Sequence, residues 1–426
     1  MKKHATIGLK FLICVISSAL VAILLLTIAF SLPNWRIDNN VRDSVGTFSD
    51  EQVYPSLRPW CTSQLDNWSD SIMMLIAAHD SDYSAIVSAM RMDFNHNTGQ
   101  NPCEALVNHY ESGSEFTSSM MYGRDWHGYQ VVLKPLLVLF TYDTIRIINT
   151  VAQLLLVAIA VFLMIKKQMK EYILPFLIGY QFILPIAIFK SLQFSSCFYG
   201  MILGIIALLF IKDTKFEKYG HFVFLFIGIF TAFFDLLSYP LITFGVPLVF
   251  MLAIKNFKTV KDSFLGILNS GVSWLFGYAG MWASKWVFGS IIMRESLFAN
   301  AFSKVKVWTN TDTSDLAEAV DTADMLKHNF DSFFNTPVKD LFFAFIILCV
   351  ALIVFNLIKT KPPIKQTLIG CFPFALTMLI PIAWYIVLVQ HSMTHFWFTN
   401  KILLILVLAA MFMLVGILKN QNTTKQ

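Results

Sequence analysis

The residues best placed to do chemistry lie in Leu65-Asp66-Asn67-Trp68-Ser69-Asp70-Ser71, where two carboxylates stand four apart beside an indole. On a helix that spacing puts Asp66 and Asp70 on one face, near enough for one to shift the other's proton affinity. One of them then stays ionised as a base that takes a proton from a hydroxyl. Asp66 is placed first, because it lies nearer the first apolar run and just beyond Cys61. The plainer alternative is a helix start at which Asp66 or Ser69 caps the run Ile72 to Ala78.

A second cluster, Tyr122-Gly123-Arg124-Asp125-Trp126-His127-Gly128-Tyr129, offers a cation, a carboxylate, an imidazole and aromatic faces within one short segment. Arginine suits phosphate and aromatic rings with polar edges suit sugar faces, so Arg124, Trp126 and His127 are expected donor contacts. An interfacial aromatic belt is the alternative for Trp126 and Tyr129. Arg146, Lys190, Asp235, Lys285, His391 and His395 sit inside or at the ends of apolar runs. Charge there is costly and usually marks a polar cavity. Arg146 and Lys285 are expected to neutralise a lipid phosphate, with snorkelling to headgroups as the alternative. Asp235, in Phe233-Phe234-Asp235-Leu236-Leu237-Ser238, either faces a site or closes a turn. His391 and His395 share a face if helical, which is also zinc-ligand spacing. Lacking a nearby Cys or a Glu-flanked zinc motif, the pair is expected to hydrogen-bond phosphate or hydroxyl, and no metal site is assigned. No phosphate-loop or dinucleotide motif is present, so no cofactor is expected, with any dependence on a divalent metal left open.

The elements that must position these residues follow from composition. Of 426 residues, 56% are hydrophobic, 14% are charged and 40 are Phe, and mean hydropathy is +0.62. That predicts an all-α polytopic membrane protein, one integral membrane domain over 1–426. Apolar runs of spanning length recur at 9–32, 144–165, 172–190, 193–211, 219–235, 238–254, 263–290, 339–358, 367–389 and 399–418, about ten transmembrane helices. The first follows Lys2, Lys3 and Lys10 and lacks a small-x-small cleavage site, so it is read as a retained span.

Six lysine clusters fall on alternate connectors: Lys2/Lys3/Lys10, Lys166/Lys167/Lys170, Lys212/Lys215/Lys218, Lys255/Lys258/Lys261, Lys359/Lys361/Lys365 and Lys419/Lys425. The positive-inside rule then puts them and both termini in the cytoplasm of a multi-pass plasma-membrane protein. Net charge +5 is thereby accounted for, and no nucleic-acid partner is implied. Two long extracytoplasmic loops remain, 33–143 and 291–338. The first carries helix candidates at Ser71 to Ala78 and Tyr83 to Met90 and an interfacial run at Val131 to Phe140. The second carries a polar helix at Ser314 to Leu326, with Ser296 to Val307 and Phe330 to Phe334 near lipid headgroups. Cys61 and Cys103 stand alone on that oxidising side, so a disulfide between them is expected, two unlinked thiols being the alternative. The other four cysteines read as small buried apolar residues.

An outer Asp shortly after the first span, interfacial segments before the second, and a late second outer loop together resemble the GT-C superfamily of integral membrane glycosyltransferases. The phrases Leu65 to Asp70, Tyr122 to Tyr129, Gly277-Tyr278-Ala279-Gly280-Met281-Trp282 and His395-Phe396-Trp397-Phe398-Thr399 also look like those of bacterial multi-spanning proteins. The resemblance covers most of the chain as an architecture, with fewer spans than larger members and no C-terminal soluble domain. It implies a polyprenyl-phosphate-linked sugar donor, a cell-envelope polymer, glycolipid or protein acceptor, and transfer at the outer face of a bacterial plasma membrane. A transporter or lipid flippase is the rival from another class, against which stand the missing internal repeat and the gathering of ionisable residues at outer span ends.

Overall fold

The computed structural model describes residues 2–255, 257–309, 320–360 and 364–423. Helix dominates because a chain this apolar can satisfy its backbone in hydrocarbon only by bonding within each segment. Helix α1 (Lys2–Phe30) leads into a block of short elements: α2 (Asn34–Arg42), α3 (Val45–Glu51), α4 (Asn67–Ala78), α5 (Ala85–Arg91), β1 (Asp93–His96), α6 (Pro102–Ser112), β2 (Ser118–Met121) and α7 (Gln130–Leu137). Then come α8 (Tyr142–Lys166), α9 (Ile173–Phe182), α10 (Pro185–Lys190), α11 (Leu192–Phe210), α12 (Phe216–Phe234), α13 (Ile242–Lys255) and α14 (Val260–Met293). The last part holds α15 (Phe298–Trp308), α16 (Thr322–Phe334), α17 (Val338–Thr360), α18 (Ile364–Met378), α19 (Ile380–Val387), α20 (Val389–Thr394), α21 (Phe396–Thr399) and α22 (Leu404–Thr423). The strands form one antiparallel pair, from Asp93 opposite Met121 to His96 opposite Ser118.

Among the described residues, six stretches are long and apolar enough to cross a membrane: Ile7–Phe30, Tyr142–Lys166, Leu192–Phe210, Val338–Lys359, Lys365–Val387 and Phe396–Gln421. Lys218–Phe234 and Ile242–Lys255 are apolar but shorter. The expected run 172–190 is not one helix. Pro185 has no N–H to give and Leu184 takes a positive φ of 47°, so the chain breaks into α9 and α10. The expected run 263–290 lies inside the 34-residue α14, whose buried Ser263, Ser270, Ser273 and Ser284 lower its hydropathy.

The lysine-bearing connectors meet at one end of the bundle. Lys167 Nζ donates to the Ile211 carbonyl at 2.7 Å, Lys419 lies 3.9 Å from Glu171, and Lys255 sits over the Phe216 ring. The block of short elements packs at the far end of α8, where Tyr142 and Arg146 stand. α12 and α14 cross in close contact because each offers a glycine to the other. A Cβ at Gly228 would collide with the Trp274 carbonyl, and one at Gly277 with the Leu225 carbonyl. That approach fixes the rotation of α14, so an aromatic column at i, i+4 spacing, Trp274, Tyr278, Trp282 and Trp286, runs along it with ring centroids 4.8 to 6.0 Å apart.

The expected helices near Ser71, Tyr83 and Ser296 correspond to α4, α5 and α15, and Phe330 to Phe334 closes α16. α4 is buried from Ser71 to Ala77, so its apolar run faces protein all round. Of the expected polar helix Ser314 to Leu326, residues 314–319 lie outside the described residues, and α16 begins at Thr322. The expected disulfide is a correction: Cys61 and Cys103 are both free. Their surroundings explain it. Cys61 opens a 3-10 turn whose next residue, Thr62, bonds Ser332, Asn400 and Lys401, while Cys103 Sγ points at the Phe48 carbonyl 3.7 Å away.

Candidate functional site

Most of the expected charged site residues fasten the short-element block to the bundle. Asp70 is fully buried and takes the Tyr142 hydroxyl at 2.5 Å and the Leu192 and Gln193 amides at 2.9 and 3.0 Å. It therefore serves the first amides of α11, donors that a helix start leaves without intrahelical partners. Burial pushes its carboxyl above the ordinary range. Arg146 is not a spare cation. Its guanidinium binds Glu51 in bidentate fashion at 2.8 and 2.9 Å and reaches the Tyr142 hydroxyl at 3.0 Å. Although burial raises the Glu51 carboxyl, those Arg146 bonds hold it below the ordinary range. Lys190 stands 4.0 Å from the same Glu51.

Lys285, fully buried, donates to the Met90 carbonyl at the end of α5 at 3.0 Å, and lies over the Trp126 ring. Lys134 does the same for the Ala77 carbonyl near the end of α4 at 2.6 Å, and Lys401 for Thr62 at 2.8 Å. Burial lowers Lys134 to about 8. A cation on the last carbonyls of a helix offsets groups that have no intrahelical partner. Trp126 and His127 are also structural. The Trp126 indole donates to the Met281 carbonyl at 2.7 Å, and both nitrogens of His127 are taken, by Tyr129 and the Tyr122 carbonyl. Asp235 closes its turn on the Ser238 amide and hydroxyl. The expectation that Asp70, Trp126, His127, Arg146, Lys190, Asp235 and Lys285 line a site is thus corrected: none borders the cavity, and all but the partly exposed Lys190 are held by close partners.

The cavity itself, about 740 Å³, collects the other expected residues. Asp66, Arg124, His391 and His395 line it, and sequence positions more than 300 apart meet there. Asp66 is the N-cap of α4, accepting the Ser69 amide at 3.2 Å and the Ser69 hydroxyl at 3.0 Å. The capping reading of Asp66 is therefore realised, and the same carboxylate borders the cavity. Burial pushes it up to about 7, with nearby Asp70 adding to the rise and the Ser69 bonds opposing it. Arg124 lies over the Tyr122 ring at 4.2 Å, 3.4 Å from Asp125 and 3.5 Å from Asn300. It keeps 23% side-chain exposure, against 6% for Arg146.

The opposite wall is aromatic. The Trp308 ring meets His391 at 5.0 Å and His395 at 5.4 Å, and Phe398 stacks on His395. Burial drives the His391 imidazole well below its ordinary value and takes His395 to about 4, so both are neutral. Among the described residues, neither ring nitrogen of His391, nor Nδ1 of His395, nor the indole nitrogens of Trp282 and Trp384, nor Gln193 Oε1 has a hydrogen-bond partner. Backbone at Leu237 and Ser238 approaches His391 without reaching hydrogen-bond geometry. A buried polar group left so costs about 1–3 kcal/mol, which a bound polar ligand would offset. No group of three or more His, Cys, Asp or Glu among the described residues is arranged to hold a metal ion, so the zinc spacing of the histidine pair is not completed.

Sequence reasoning gave no site role to Asp125, Trp282, Trp286, Trp308, Trp384 and Gln193, all of which border the cavity. The i, i+4 aromatic spacing on α14 was a usable signal for two of them. Comparison with known proteins finds no matching family model, no matching curated protein and no matching solved structure. What the site does is accordingly read from its own chemistry: a buried carboxylate with a proton affinity near neutrality, a partly exposed guanidinium, and a neutral aromatic wall rich in unmatched donors and acceptors.

Proposed function

We propose that the chain is a membrane glycosyltransferase of GT-C type, moving a sugar from a polyprenyl-phosphate-linked donor to a cell-surface acceptor on the outer face of the plasma membrane. In this reading the bundle makes ten passes, with α9 and α10 together forming one and α14 another. The lysine end and both termini are cytoplasmic, and 33–143 and 291–338 are outside. The observation that carries the reading is the meeting of Asp66, Arg124 and the indole wall in one cavity.

The acceptor oxygen attacks the anomeric carbon of the donor, the bond from that carbon to phosphate oxygen breaks, and its electron pair leaves with the phosphate. Asp66 takes the acceptor's proton, a role suited to a carboxylate whose proton affinity lies near the working pH. Arg124 neutralises the departing lipid phosphate, the part first expected of Arg146 and Lys285. Release of polyprenyl phosphate from a labelled polyprenyl-phosphate sugar by the purified protein tests the reading. Asp66→Asn should lower turnover by about a hundredfold while expression stays normal, the usual scale for losing a general base. Undiminished turnover removes the mechanism.

A further inference from the structure

We propose that the wall formed by Gln193, Trp282, Trp384, His391 and His395 is a subsite for an uncharged pyranose; on the glycosyl-transfer reading this is the sugar carried by the donor. The inference rests on which polar atoms lack partners there. The indole nitrogens of Trp282 and Trp384 only donate, Gln193 Oε1 only accepts, the neutral His391 imidazole offers one of each, and His395 adds its Nδ1. An anionic group cannot satisfy Gln193 Oε1, which needs a donor. An ammonium cannot satisfy an indole N–H, which needs an acceptor. A ring bearing several hydroxyls satisfies both kinds at once, because every hydroxyl donates and accepts.

The rings are also set to receive such a ligand. Tyr278, Trp282 and Trp286 present a column along α14, and Trp308 closes against both histidines from α15. Aromatic faces suit the apolar C–H faces of a pyranose, while their polar edges meet its hydroxyls. The charged groups of the same cavity are Asp66, Arg124, Asp125 and Lys304, two carboxylates and two cations. A carboxylate on the sugar would have to be desolvated against a wall made largely of apolar rings, a cost that a neutral sugar avoids.

The test uses the full-length protein in lipid nanodiscs and reads binding from quenching of its tryptophan fluorescence. The probes are a bare polyprenyl monophosphate and the same lipid bearing glucose, mannose, galactose, N-acetylglucosamine or glucuronic acid. At least one neutral sugar should tighten binding about tenfold or more over the bare lipid, and glucuronic acid should not. Trp282→Phe, which keeps the ring and removes the N–H, should reduce that preference several-fold and leave bare-lipid binding within about twofold. His391→Phe should act in the same sense, and normal bare-lipid binding shows that either variant is folded. A wild type that binds bare and neutral-sugar lipids alike, tightest binding of the glucuronyl lipid, or a preference untouched in both variants overturns the subsite. Turnover that survives Asp66→Asn sinks the transferase reading while leaving the sugar preference standing, so the two failures are distinguishable.

Discussion

Two polar regions meet at the same end of this bundle and are built on opposite terms. In the region that fastens residues 33–143 to the helices, charges are matched: Arg146 with Glu51, Asp70 with Tyr142 and two α11 amides, and Lys134, Lys285 and Lys401 each with a backbone carbonyl. Across the cavity wall Gln193 Oε1, the indole nitrogens of Trp282 and Trp384, both nitrogens of His391 and Nδ1 of His395 lack partners among the described residues. A matched buried charge holds a fold in place and keeps little bonding capacity for a ligand. An unmatched polar atom weakens the fold and keeps that capacity. The contrast between Asp70 and Asp66, one helical turn apart, shows this in miniature: the first is saturated by groups from α8 and α11, while the second, among the described residues, is held by Ser69 and borders the cavity.

The largest expected effect falls on the matched region. Asp70→Ala leaves the Tyr142 hydroxyl and the Leu192 and Gln193 amides without an acceptor, and Arg146→Ala leaves Glu51 without its bidentate partner. Removing one partner of such a buried network costs about 3–5 kcal/mol, a large share of a protein's stability. Both variants should yield less than about a tenth of the wild-type monodisperse protein on size exclusion. Normal yields with lost transfer would move these residues back into the site.

Asp66 should behave in the contrary way, through pH. Its folded-state proton affinity, near 7, lies above the ordinary carboxylate value, so the fold favours the protonated form. The stability this contributes is full below about 4 and is lost as pH rises through about 7. Thermal midpoints of Asp66→Asn and wild type should diverge over that window in favour of the variant, since Asn caps a helix about as well as Asp and carries no charge. On the proposed transferase reading, turnover by the wild type should rise through the same window as Asp66 ionises. A flat difference in midpoint between pH 4 and 8 would place Asp66 in water.

A smaller effect separates two cations. If the proposed lipid-phosphate donor is used, Arg124→Ala should weaken its use about tenfold with normal yield, because the guanidinium borders the cavity. Lys285→Met should lower the thermal midpoint, because the Met90 carbonyl loses its donor, while donor use per folded molecule stays near wild type. An exchanged pattern, with Lys285 governing donor affinity, would break the division drawn between the two regions.

These contrasts also show which features were legible. Asp66, Arg124, His391 and His395 could be picked out because each stands in a short polar phrase beside an apolar run, a local signal. Arg146 could not be told from a free cation, since Glu51 lies 95 residues earlier and a bidentate pair across that distance leaves no spacing to read. The buried lysines were opaque for a second reason: their partners are carbonyls, which every residue carries. Helix content was readable from composition, but the run 172–190 looked continuous because hydropathy does not register the positive φ at Leu184.

The smallest expected effect concerns Cys61 and Cys103. A bridge across a loop of that length would contribute about 2–4 kcal/mol, and its reduction would lower the thermal midpoint by several degrees. The fold gives the loop other fastenings: the Thr62 carbonyl is held by Lys401, the Thr62 hydroxyl is reached by the Asn400 amide, and α6 starts from a capping box of Asn101 and Glu104. With those bonds in place the segments are positioned without a covalent link, and each thiol has settled on its own neighbours. Reductant should therefore leave the midpoint unchanged within about a degree, and alkylation after unreduced denaturation should label both cysteines. A mass lower by two hydrogens, with a midpoint that falls on reduction, would show that the matched region is held by a bridge as well as by its charges.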